Sequence, residues 1–153
     1  MKIFFFFGLI TTLLCACGKP SVYNSSYQFA DNIWGVKVKP TFTVNIPDTI
    51  NSYDFTLTIR TTTDYKYSNL WIYLTTKTPF KKVVREPYEI KTTYPNGTWI
   101  GNKTGTIVEH QLIFKRRKLP QAGKYTFIVE QGVVQKSLDE VMDLTFNVSK
   151  SEN

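Results

Sequence analysis

The sequence predicts an all-β chain, folded as a single antiparallel β-sandwich of the jelly-roll or immunoglobulin-like kind. Three observations predict it. First, short segments alternate apolar and polar residues with the period of two that half-buried strands require. Second, proline and Asn-Gly signals interrupt these segments at fairly regular spacing: Ile46-Pro47-Asp48, Thr78-Pro79, Tyr94-Pro95-Asn96-Gly97, and Leu119-Pro120 ahead of Gly123. Proline removes a ladder donor and Asn-Gly tolerates positive φ, so each signal is a physical break. Third, only residues 136–142 have any helical character, a short turn at most.

Taken in order, residues 18–26 are polar and aperiodic, and with Cys17 and Tyr27 they read as a tether over 17–27. Phe42, Val44 and Ile46 then alternate with Thr41, Thr43 and Asn45, and Tyr53, Phe55, Leu57 and Ile59 with Asp54, Thr56 and Thr58. Residues 70–75 carry Leu70, Ile72 and Leu74 on one face and Trp71 and Tyr73 on the other, the pattern of a central strand. Further strands are expected at 88–92, 106–114, 124–131 and 144–148. The sandwich is therefore expected over 28–149, with a tail at 150–153. No internal repeat or second domain is visible.

The N-terminus has its own logic. Lys2 precedes an apolar run from Ile3 to Leu14, too short to span a bilayer as a helix, which needs about 20 residues. A basic head and a short apolar core make a secretory signal. Leu14-Cys15-Ala16-Cys17 resembles the bacterial lipobox, in which the final cysteine becomes the lipidated first residue. Residues 1–16 are thus expected to be removed, and Cys17 to carry diacylglycerol and an N-acyl chain such as palmitate. The two cysteines of the chain are Cys15 and Cys17, so the mature domain is left without a disulfide and depends on its core. No aspartate follows Cys17 and the first acid is Asp31, which favours the outer membrane with the domain facing the periplasm.

Composition narrows the chemistry. The formal net charge is +7, but export argues against nucleic acid and leaves anionic headgroups, glycans or acidic proteins as attractions. The single histidine, His110, shares a strand face with Val108, Leu112 and Phe114, where a packed, hydrogen-bonded role is expected rather than a metal ligand. No phosphate-binding glycine loop or nucleophile elbow is present. The run Lys115-Arg116-Arg117-Lys118 stands before Leu119-Pro120, at an expected strand end or hairpin tip, and reads as either a solvated loop or a contact for lipid phosphates or an acidic partner. The 3 Trp, 9 Tyr and 11 Phe leave a glycan-binding face as an alternative, with Trp34, Trp71 and Trp99 as its rings.

Several segments follow one another along the chain: Tyr67-Ser68-Asn69-Leu70-Trp71, Gly97-Thr98-Trp99-Ile100-Gly101, Gly105-Thr106-Ile107, Glu109-His110-Gln111, and Gly123-Lys124-Tyr125-Thr126-Phe127 with Glu130-Gln131. In this order, after a lipobox, they resemble the gliding-motility lipoprotein family GldH of Bacteroidota over nearly the whole mature chain. Glu109 stands where aspartate is common in the family, which preserves the carboxylate. The resemblance implies a non-enzymatic envelope lipoprotein tied to gliding and to the type IX secretion system coupled to it, with protein partners in that machinery and no cofactor beyond the lipid on Cys17. Asn69, Trp71, Trp99, Glu109, His110 and Gln111 become the candidate interaction or structural residues, with Gly97, Gly101 and Gly105 expected to allow tight turns around Trp99.

Overall fold

The computed structural model describes residues 21–152. Eleven strands form it: β1 (Ser21–Gln28), β2 (Ile33–Gly35), β3 (Thr41–Ile46), β4 (Ser52–Thr62), β5 (Asn69–Lys77), β6 (Val83–Lys91), β7 (Asn102–Thr104), β8 (Ile107–Lys118), β9 (Gly123–Gln131), β10 (Ser137–Asp139) and β11 (Val141–Lys150). One antiparallel sheet has the order β1-β11-β4-β8-β7 and the other β3-β9-β5-β6, with β2 and β10 paired separately. Counting only the eight long strands in chain order, one sheet takes the first, eighth, third and sixth, and the other the second, seventh, fourth and fifth. That arrangement is a jelly roll.

The alternation seen in the sequence decides which faces meet. Along β4 every second residue from Tyr53 to Thr61 is buried, and β3 buries Phe42, Val44 and Ile46. The rings of Phe42 (β3), Phe55 (β4), Phe127 (β9) and Phe146 (β11) meet at the centre, with Phe127 and Phe146 centroids 4.8 Å apart and Phe42 and Phe146 5.4 Å apart. β5 lies between β9 and β6, as its two-sided apolar pattern predicts. Trp34 is fully buried, stacks on Phe29 at 5.0 Å and donates its Nε1 hydrogen to the Val38 carbonyl at 2.9 Å. It closes one end of the core.

Two expectations are corrected. Residues 21–27 are not tether but most of β1, an edge strand paired with β11 from Ser21–Ser149 to Gln28–Asp143. Its side chains are mostly serine, asparagine and tyrosine because only one flank is paired and little of it faces the core. Residues 136–142 are not helical either. They form β10 and the start of β11, reversed by Glu140 at φ 67°, which lets Leu138 and Val141 both reach the core. Among the described residues a short helical turn lies instead at Ala30–Asn32, with Asp31 and Asn32 at positive φ. Cys17 and the signal segment lie outside the described residues.

Candidate functional site: a strapped groove at one end of the sandwich

At the end of the sandwich where β5 and β8 begin and β6 finishes, the segment 92–101 crosses from β6 to β8 like a strap. Two hydrogen bonds fix it: Ile100 N–H donates to the Thr92 carbonyl at 2.8 Å, and His110 Nδ1 lies 2.7 Å from the Ile100 carbonyl. A carbonyl only accepts, so Nδ1 carries the proton. Nε2 then accepts from the Thr61 hydroxyl at 3.1 Å. His110 is 2 % exposed, and burial holds its pKa below the usual value, with the Ile100 contact opposing that shift. The imidazole is a neutral brace between the strap and the sheet. Trp99 packs against it at 6.3 Å.

The strap depends on its glycines. Gly101 has φ 127°, and a Cβ there would lie 2.1 Å from the Glu109 carbonyl oxygen, so the strap can approach β8 only without a side chain. Gly97 and Gly105 also take positive φ, in keeping with the turns expected around Trp99.

Beneath the strap runs a groove of about 420 Å³, lined by Glu89, Lys91, Asn102, Glu109, His110 and Gln111 among others. Asn69, at the start of β5, donates its amide hydrogen to Glu89 at 2.7 Å, and together with Lys91 and Tyr94 these residues line a second depression next to the first. Trp71 is 41 % exposed on the outer face of β5, paired across the ladder with Glu89. The structure therefore gathers Asn69, Trp71, Trp99, Glu109, His110 and Gln111 into one region. Glu89 and Lys91, which the sequence did not single out, add charges beside Glu109. Their only signal was polar alternation along the 88–92 strand.

The gathered residues do not form a catalytic pair. Adjacent strand residues point to opposite faces, so Glu109 faces outward while His110 faces the core. Glu109 instead pairs in register with Arg60, whose guanidinium grips Asp143 through three hydrogen bonds of 2.5 to 3.0 Å. That contact raises the Arg60 pKa. Among the described residues no group of three or more His, Cys, Asp or Glu side chains could hold a metal ion. Trp34 is in the core and Trp99 is half-buried, so neither offers an open ring for a sugar.

The basic run Lys115, Arg116, Arg117 and Lys118 lies elsewhere, at the opposite end of β8, where a strand end was expected. Arg116 adopts φ 53° in a bulge opposite Tyr53 and Phe55, and its N–H donates to Asp54 at 2.8 Å.

Comparison with known proteins places this architecture. The family model described as GldH lipoprotein matches residues 21–148. The chain belongs to the GldH lipoprotein family. It is similar to the gliding motility lipoprotein GldH homolog of Christiangramia forsetii, 29 % identical and covering 97 % of this chain and 96 % of that one. It is also similar to the gliding motility lipoprotein GldH of Flavobacterium johnsoniae, 26 % identical with 94 % of each covered. Among solved structures it resembles a carbohydrate-binding module specific for non-crystalline cellulose, at TM-score 0.48 and 12 % identity, over 84 % of this chain and 73 % of that one. The GldH match begins at the first residue of β1 and ends near the close of β11, so it coincides with the folded domain. Among the described residues no helix is long and apolar enough to cross a membrane.

Proposed function

We propose that this GldH-family protein is a non-enzymatic, lipid-anchored subunit of the cell envelope, serving gliding motility and the type IX secretion machinery coupled to it by docking on another envelope protein. The observation that carries this reading is the family match over residues 21–148, the whole sandwich rather than a fragment of it. The strapped groove is the docking surface. It is polar at its rim through Glu89, Lys91 and Gln111, and its floor is held rigid by His110 and the strap, so little conformational entropy is lost when a partner binds. Cys17 carries the anchor, with the outer membrane as its site and the periplasm as the domain's side.

Deleting the gene and scoring colony spreading, surface-adhesin movement and secretion together tests the role. Loss of spreading with accompanying loss of secretion supports it, and unchanged behaviour in all three contradicts it. A carbohydrate-binding reading now rests on Trp71, the one of the three tryptophans with a substantially exposed ring. Glycan-array binding that disappears in Trp71→Ala would favour that reading over protein docking.

A further inference from the structure

The strands place the exit of the N-terminus and the basic run at the same end of the sandwich. Ser21 pairs with Ser149, Ser149 pairs with Asp54, and Asp54 accepts the Arg116 N–H. β1 and β8 are three strand spacings apart in that sheet, about 14 Å. Ser21 follows Cys17 by four residues, which reach at most about 14 Å when fully extended. A lipid on Cys17 therefore holds this end of the domain, and no other, against the bilayer.

What this end displays suits that position. Two turns project from it. In the β5–β6 turn, Lys81 N–H donates to the Thr78 carbonyl, Thr78 N–H donates to the Lys82 carbonyl, and Lys82 N–H donates to the Thr78 hydroxyl. Phe80 stands at its tip, 72 % exposed, with Val83 also exposed beside it. In the β3–β4 turn, the Asp48 carboxylate accepts from the Ile50 and Asn51 N–H groups, leaving Ile50 83 % exposed. Both apolar tips are thus held outward by ordered turns. Around them stand exposed cations from three strands and the β5–β6 turn: Lys77, Lys81, Lys82, Arg117, Lys118 and Lys124. Against these stand Asp48, Asp54, Glu86 and Glu152, of which Asp48 holds its own turn and pairs with Lys150, Asp54 holds the bulge and the Ser151 hydroxyl, and Glu86 shares a cleft with Arg117 and accepts from the Tyr88 hydroxyl.

Apolar tips ringed by lysine and arginine are the composition of a surface that lies in a membrane interface, apolar side chains at the acyl boundary and cations at the phosphates. We infer that this end is a second, non-covalent membrane contact, in which Phe80 and Ile50 enter the headgroup region and the surrounding cations bind anionic phospholipid. The inference rests on lipidation at Cys17. It adds an orientation: the sandwich stands upright on the bilayer with the strapped groove pointing away, instead of tumbling on its anchor.

The test uses the full mature lipoprotein reconstituted in vesicles of phosphatidylethanolamine with or without phosphatidylglycerol. An environment-sensitive fluorophore is attached at Phe80→Cys or, at the other end, at Val134→Cys. Quenching by brominated lipid is expected to be about threefold or more stronger at position 80 than at 134 in anionic vesicles. It should weaken when Lys81, Lys82, Arg117 and Lys118 are all changed to Gln, and flotation with the vesicles should persist. Flotation with equal quenching at both positions overturns the inference and leaves the anchor standing. Quenching at position 80 that ignores the four substitutions overturns the role of the cations. Failure of the unsubstituted protein to float overturns anchor and inference together.

Discussion

The two ends of the sandwich are built from the same strands but by opposite means. At the anchor end, hydrogen bonds are spent on holding turns outward, so that Phe80, Ile50 and a ring of cations meet solvent. At the far end, hydrogen bonds draw chain inward: the strap is tied down through Ile100, His110 and Thr61. On the reading proposed above, the first is a surface for a fluid, non-specific partner, where charge and apolar area matter more than fit. The second is a fixed shape, as recognition of a specific partner demands. Substitutions at the two ends should therefore fail in different ways.

The largest effect is expected at the anchor. Cys17→Ser removes the acyl chains, so most of the protein should leave the membrane fraction and the rest, held only through Phe80, Ile50 and the cations around them, should wash off with salt, as fractionation beside a thermal melt will show. At the far end the loss should be of folding stability. Gly101→Ala forces a Cβ into the Glu109 carbonyl and should cost about 2 kcal/mol or more, whereas Gly97→Ala, with nothing within 4 Å, should cost about 1 kcal/mol from its backbone conformation alone. Chemical denaturation of the two variants side by side checks the ranking. His110→Ala strands the Thr61 hydroxyl and the Ile100 carbonyl, a loss of about 2 to 3 kcal/mol.

Acid separates the ends by pH window. Burial holds His110 below its usual 6.5, so the native state keeps the imidazole neutral while the unfolded chain takes up a proton. Stability is full above pH 6.5 and falls as pH drops through that value toward the lower native pKa. Asp48, at the anchor end, is lowered from 3.8 to about 2, chiefly by the Asn51 backbone N–H and side-chain amide. Its contribution is present above pH 3.8 and is lost as pH falls toward about 2. Glu130, lowered by Lys39 and Arg85, titrates in this lower window too although it lies towards the far end, so only the upper step belongs to one end. Melts across pH should show two steps, and His110→Gln should remove only the upper one. The smallest effect on stability is expected from changing Lys115, Arg116, Arg117 and Lys118 to Gln, within about 0.5 kcal/mol, because all four side chains are exposed.

Much of this architecture is legible in the sequence, and the exceptions have physical causes. β3, β4 and β5 declare themselves because a buried face imposes strict alternation. β1 does not, because an edge strand gains its place from ladder hydrogen bonds to β11 and needs few apolar side chains. Residues 136–142 mislead because Leu138 and Val141 sit at a helical spacing of three, which Glu140 converts to a reversal by taking a left-handed conformation. Within the groove, His110 and Trp99 are readable because they hold the strap, and Asn69, Glu109 and Gln111 are readable through the family resemblance. Glu89 and Lys91 are not, as exposed charges on an edge strand look like any solvated face. The anchor end is least legible. Phe80 and Lys81 are neighbours in sequence, but Ile50 and Arg117 join them only through jelly-roll connections.

On the reading proposed above, the far end meets protein while the anchor end meets lipid. Site-specific photocrosslinking in cells tests it most directly, with a photoreactive residue placed at Gln111 in the groove or at Phe80 in the β5–β6 turn. Discrete protein adducts from position 111, drawn from the motility and secretion machinery and absent from position 80, are the result this account predicts. Protein adducts from position 80 with none from position 111 would contradict it.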